Sequence, residues 1–175
     1  LEAKFSENLL DATNAHGEHV SAEADVAGIP ADVLHVAREA AQKDALEGWK
    51  FSLHAPSYIP VMQYADHRPL RERMYRAYAT RASEQGKAEW DNTPLIKRML
   101  ELRREEAQML GYRNFAEVSL VPKMAESVEQ VLAFLRDLAH KARPFAQNDV
   151  AELERFARDE LGVDRLEPWD IACAS

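Results

Sequence analysis

A chain of 175 residues with 46% hydrophobic and 30% charged residues is too apolar for a disordered tail and long enough for one core or two small helical layers. Its formal net charge of -8, with no basic block to track a phosphate backbone, argues against a nucleic-acid partner, and no run approaches the ~18 apolar residues of a membrane span. Cys173, the one cysteine, excludes an internal disulfide framework and fits a reducing compartment, so the expected location is cytoplasmic.

Taken from the start, Phe5, Leu9 and Ala12 recur at i, i+4 and i+7, so the chain opens inside an amphipathic helix. The last ten residues, LEPWDIACAS from Leu166, are of a kind that leads into further structure. Both ends therefore lead to the expectation that these residues are an internal piece of a longer protein. Gly17, within the polar run His16 to Ser21, loosens the chain after the first helix. Gly28-Ile29-Pro30 is a turn, and a helix opening at Pro30 or Ala31 carries Leu34, Ala37 and Ala41 on one face before Gly48. From Trp49 to His54 apolar and polar residues alternate with period 2, the best strand candidate in the chain. A lone strand must pair with something, and a segment outside this sequence is the candidate partner.

Pro56 to Pro60 reads as a rigid elbow leading into a short apolar turn, Val61 to Ala65. Asp66 is the expected N-cap of a helix lined by Leu70, Met74, Ala77 and Tyr78. Asp91 caps the next, in which Ile96, Leu100, Arg103, Ala107 and Leu110 recur until Gly111. Capping-box spacings at Asn114…Glu117 and Ser127…Gln130 begin two more helices. The last carries Val131, Leu135, Leu138 and Ala142, meets Pro144, where a kink or short break is expected, and resumes with Leu153, Phe156 and Leu161 before Gly162. The fold class is mainly α: an array of about six helices and one short strand, treated as a single unit over residues 1–175 because no repeat or low-complexity linker divides it.

The search for a self-contained active site is largely empty. There is no phosphate loop, no Gly-x-Ser-x-Gly elbow and no Cys-x-x-Cys. His16-Gly17-Glu18-His19 places two imidazoles around a carboxylate, but zinc on a helix is best gripped by His residues four apart, and Gly17 weakens the helix. A solvated loop is the reading there. Glu101 and Glu105, at i and i+4, sit among Arg103 and Arg104 and read as a charged outer face rather than a metal pair. Cys173 has apolar neighbours and no nearby His, the setting of an inert small residue rather than a nucleophile. Trp49, Trp90 and Trp169 are large enough to anchor a core or line a peptide groove, and the core is favoured for each. Arg71, Arg73, Arg76 and Arg81 mix helix faces; they read as a solvated stripe, with a peptide carboxylate as the alternative partner for one of them. No catalytic, cofactor-binding or metal residue is assigned.

The strings FSENLLDATNA (Phe5 to Ala15), SYIPVMQYAD (Ser57 to Asp66), MYRAYATRASEQG (Met74 to Gly86), WDN (Trp90 to Asn92), the stretch from Phe115 through VPKMAESVEQVL (ending at Leu132) and LEPWDIA (Leu166 to Ala172) together closely resemble bacterial members of the thimet-oligopeptidase-like family of zinc metallopeptidases. The likeness runs in order along almost the whole chain. It implies a larger, mainly helical fold whose two halves flank a channel for short peptides, with zinc held by a His-Glu-x-x-His helix and a downstream glutamate. That motif is absent here, so the resemblance carries over no catalytic or zinc-binding residue. It implies instead a channel-wall segment upstream of the zinc site, inactive alone and binding no zinc; truncation is expected to leave the strand at Trp49 to Leu53 and the tail at Trp169 without partners, exposing apolar surface for self-association. One departure stands out: the family continues the Trp-Asp step into tyrosines, whereas Ala172-Cys173-Ala174 follow here. The alternative reading is a self-standing helical interaction module.

Overall fold

The computed structural model describes all 175 residues. In chain order its α-helices are α1 (Glu2–Asn14), α2 (Ala31–Lys43), α3 (Ala55–Tyr64), α4 (Arg68–Ala79), α5 (Thr93–Met109), α6 (Phe115–Leu120), α7 (Val128–Leu161) and α8 (Ile171–Ala174). Two short strands, β1 (Glu18–Val20) and β2 (Trp49–Phe51), and two 3-10 turns, Glu23–Val26 and Ala88–Trp90, complete it. The mainly α expectation holds. The chain divides into two compact units, one of Glu2–Asn92 with Leu153–Ser175 and the other of Thr93–Glu152 with Leu1.

The first unit has the apolar core. Phe51, Leu53, Val61, Leu70 and Met74 are each at most 2% exposed, and burying side chains of this size is worth about 1.5–3 kcal/mol apiece. Period 2 on the strand puts Trp49, Phe51 and Leu53 inward, as the alternation predicts. The strand's partner, however, lies within the chain: β1 pairs antiparallel with β2, Glu18 opposite Phe51 and Val20 opposite Trp49. Glu18–Val20, in the middle of the polar run at 16–21, are therefore a strand rather than part of a loose loop. Gly48 makes the pairing possible, since at φ 89° a Cβ there would stand 2.3 Å from the Val20 carbonyl oxygen.

Other differences have local causes. α2 ends at Lys43, several residues before Gly48, because Ala45 takes a left-handed φ of 58° and the Leu46 amide bonds back to the Ala41 carbonyl. The segment 56–65 is helix α3 rather than an elbow. Pro56 stands in its first turn, where its missing N–H costs nothing, and only Pro60 interrupts the hydrogen-bond ladder. α4 starts at Arg68, with His67 and not Asp66 at the cap position, and no side-chain cap bond. Its expected inner face is real: Leu70 and Met74 are fully buried, while Tyr78 is 38% exposed.

In the second unit the capping forecasts succeed. The Asn114 side chain accepts from the Glu117 amide while the Glu117 carboxylate accepts from the Arg113 amide, and ahead of α7 the Ser127 hydroxyl accepts from the Gln130 amide while Gln130 Oε1 accepts from the Glu126 amide. Arg103 lies 5.1 Å over the Phe115 ring and ties α5 to α6. α5 begins at Thr93, two residues beyond Asp91, and closes where Gly111 adopts φ 80°. α7 runs unbroken through Pro144, so the predicted break does not occur.

Candidate functional site

Neither metal-donor candidate gathers a ligand set. Along β1 the His16 to His19 cluster is dispersed: Glu18 accepts from Arg73 Nε at 2.6 Å, and His19 Nε2 meets the Glu47 carbonyl oxygen. His16 Nε2 is buried without a hydrogen-bond partner, and desolvation pulls this imidazole below its ordinary pKa despite the opposing charge of Glu18. Glu101 and Glu105 both bond Arg98, at 3.2 and 3.3 Å, on the exposed face of α5. No group of three or more His, Cys, Asp or Glu stands together, so the residues of this chain do not fit a zinc ion. Cys173 is half-buried on α8.

The tryptophans separate. Trp49 is in the core at 6% exposure; Trp169 packs against that core, in edge contact with Tyr75 and beneath the Arg76 guanidinium, 4.9 Å from its ring centre. Trp90 is only half-buried, with Lys87 over its face, so it is not a core anchor.

Arg71 departs most from its expected solvated stripe. It is 3% exposed and donates to Asp170 at 2.9 Å and to the carbonyls of Ala65, Asp66 and Trp169. Asp170, 1% exposed, also accepts from Arg68 at 2.7 Å and from the Glu167 amide at 3.0 Å. Burial pushes the Asp170 carboxyl upward, but the hydrogen bonds from Arg68 and Arg71 outweigh it and hold the group below the usual carboxylate range. An ionised carboxylate with its acceptor positions filled by fixed donors has nothing left to offer a substrate. It is a clamp fastening residues 165–175 to α3 and α4. Of the remaining arginines, Arg73 and Arg76 pair with Glu18 and Glu72 near the surface, and Arg81 covers the Tyr78 ring and donates to Thr13.

What the sequence reading missed is a cavity of about 540 Å³ in the first unit. One wall is α2, with Val33, Val36 and Ala40; the other is the outward row Lys50, Ser52 and His54, closed by Asn14 and Ser57. His54 Nε2 hydrogen-bonds Asn14 Oδ1 at 2.9 Å, and the Ser57 hydroxyl accepts from the Ser52 amide at 3.0 Å. The signal was present twice, as a second apolar stripe on α2 beside Leu34, Ala37 and Ala41, and as the polar half of the strand alternation.

The first unit is thus a helical scaffold with a buried charge clamp and an open hollow. The comparisons give its kinship. Residues 61–173 match the model of Peptidase family M3, and the chain belongs to that family. It is 50% identical over 174 residues to oligopeptidase A of Escherichia coli (strain K12), and 48% identical to that of Salmonella typhimurium, covering 98% of this chain and 26% of each relative. A probable cytosolic oligopeptidase A of Arabidopsis thaliana is 41% identical over 180 residues, 98% of this chain and 25% of that protein. The chain thus spans about a quarter of the length of these curated relatives. The resemblance drawn from the sequence strings is borne out. No helix is long and apolar enough to cross a membrane.

Proposed function

We propose that this chain is a channel-wall portion of a zinc-dependent metalloendopeptidase that hydrolyses short peptides in the cytoplasm, and that it performs no cleavage by itself. The observation that carries the reading is the identity of 48–50% to oligopeptidase A over 98% of the chain. Zinc in the intact enzyme is held by residues outside this sequence, because the His-Glu-x-x-His pattern is missing from it. The part played here is positional: packed helices form a wall that admits extended peptides and excludes folded chains.

The test is to purify the 175-residue protein and a protein from the uninterrupted source gene, then measure zinc content and hydrolysis of a quenched fluorescent peptide by each. The longer protein is expected to hold one zinc and turn over, with loss on chelation; the short one is expected to do neither. Metal-dependent turnover by the short chain, or a metal-free longer protein with full activity, overturns the reading. Apolar side chains left exposed on α5 and α7 also make the isolated chain self-associate.

A further inference from the structure

α2 carries more apolar surface than its fold requires. Val33, Leu34 and Ala37 all pack in or against the core, while Val33 and Ala37 also border the cavity of about 540 Å³ together with Val36 and Ala40. Val36 is 64% exposed there. The facing wall is polar but nearly uncharged in sum. Lys50 on that wall and Asp32 on α2 are the cavity's only residues of fixed charge, of opposite sign, and the Lys50 ammonium is already paired with Asp44. That balance disfavours phosphates and other strongly anionic ligands, which need a net positive cradle.

The uncharged groups offer both halves of amide recognition. Asn14 lines the cavity, and with its Oδ1 taken by His54 its Nδ2 group is the side chain's remaining donor. The Ser57 oxygen accepts from the Ser52 amide, which leaves its O–H to donate, and the Ser52 hydroxyl can do either. A peptide backbone alternates carbonyl and N–H groups, and its side chain can lie on an apolar wall. The cavity volume is within the ~300–1,000 Å³ of ligand sites.

From this juxtaposition we infer that the hollow between α2 and the outward row of β2 is an accessory docking groove for an extended, uncharged stretch of peptide bearing an aliphatic or aromatic side chain. The side chain sits on Val33, Val36 and Ala40, and the backbone bonds Asn14, Ser52 and Ser57. The inference rests on the peptidase reading for its ligand class, and it adds a place where peptide is held without being cut.

The experiment uses the full 175-residue protein, isotope-labelled, titrated with acetyl-Ala-Phe-Leu-Ala-amide and with acetyl-Ala-Ser-Gly-Ala-amide as control. Saturable amide shifts confined to α2 and residues 50–57 are expected with the first peptide only. Val36→Asp, at an exposed position, is expected to weaken binding by ~tenfold or more with unchanged thermal unfolding; Ala40→Glu provides an independent block. Equal binding of the control, shifts centred elsewhere, or full affinity in both variants overturns the assignment. So do shifts at this groove that appear on raising protein concentration alone, which would make a second copy the occupant. Because the readout needs neither metal nor hydrolysis, its failure leaves the peptidase reading intact, and failure of the hydrolysis test does not produce or remove these shifts.

Discussion

Asp170 shares its two oxygens among Arg68, Arg71 and the Glu167 amide, and the two arginines differ in what they lose if it is neutralised. Arg71 has 4% side-chain exposure and Arg68 has 43%. Asp170→Asn strands a buried guanidinium, so it is expected to destabilise the first unit by about 3–5 kcal/mol in urea unfolding. Arg68→Met is expected to cost about 1 kcal/mol or less, because water already screens that partner. The sign of the pH effect follows from the depressed folded-state pKa of Asp170: its contribution is present above the unfolded value of ~3.9 and is lost as pH falls through the lower folded value. Asp170→Asn should therefore flatten the acid limb of the stability profile. His16 acts in a higher window. Its folded-state pKa is lowered by burial, so the unfolded chain takes up a proton first as pH drops below ~6.5, and stability falls with it. Comparing urea unfolding at pH 7.5 and 5.5, His16→Leu is expected to show a smaller drop than the parent, and an equal drop would refute this. Neither role was visible in the sequence. Arg71 and Asp170 are 99 positions apart, and nothing local to Arg71 distinguishes it from its exposed neighbours Arg73 and Arg76.

Elements were legible where the signal was repeated or chemical, and lost where tertiary pairing overrode it. The caps at Asn114 and Ser127 announce α6 and α7 because a side-chain oxygen three residues before an acceptor is a local device, complete within one turn. β1 was missed because three residues, Glu18–Val20, are too few for a period, and only the match with Trp49–Phe51 makes them a strand. α3 was missed because Pro56 and Pro60 read as breakers; the buried Val61 and Met62 show that packing outweighs the one ladder bond that Pro60 removes. Pro144 is a second instance. α7 holds a continuous helix across it, although proline lacks the donor for the His140 carbonyl and crowds the preceding turn. Pro144→Ala is accordingly expected to strengthen the helix by up to about 3 kcal/mol, read as increased hydrogen-exchange protection of the amides around residues 140–148. Unchanged protection would mean that the proline is accommodated without cost.

At the scale of the molecule, the first unit folds around a closed core while α7 leaves its apolar face open. Leu135, Leu138 and Phe145 are 51%, 53% and 71% exposed, and with Val131 and Ala142 between them they recur at alternating three- and four-residue steps. Leu132 and Phe134, 42% and 64% exposed, widen that stripe into the broad kind that faces a core rather than water. This periodicity was plain in the sequence; that nothing in the chain covers it was not, because a stripe announces burial without naming its partner. The chain spans about a quarter of its curated relatives, so in a longer protein the rest of the polypeptide is the natural cover. In the isolated chain the available cover is a second copy, and an apolar helix face of this length exceeds what monomers ordinarily leave in water. The expected outcome in sedimentation equilibrium is a concentration-dependent dimer. Leu138→Glu with Phe145→Glu places two carboxylates in the seam at positions already exposed, and should weaken dimerisation by more than ~tenfold while leaving the urea midpoint within error. A strict monomer at high concentration removes the proposal; a dimer indifferent to the two glutamates assigns it to a different face.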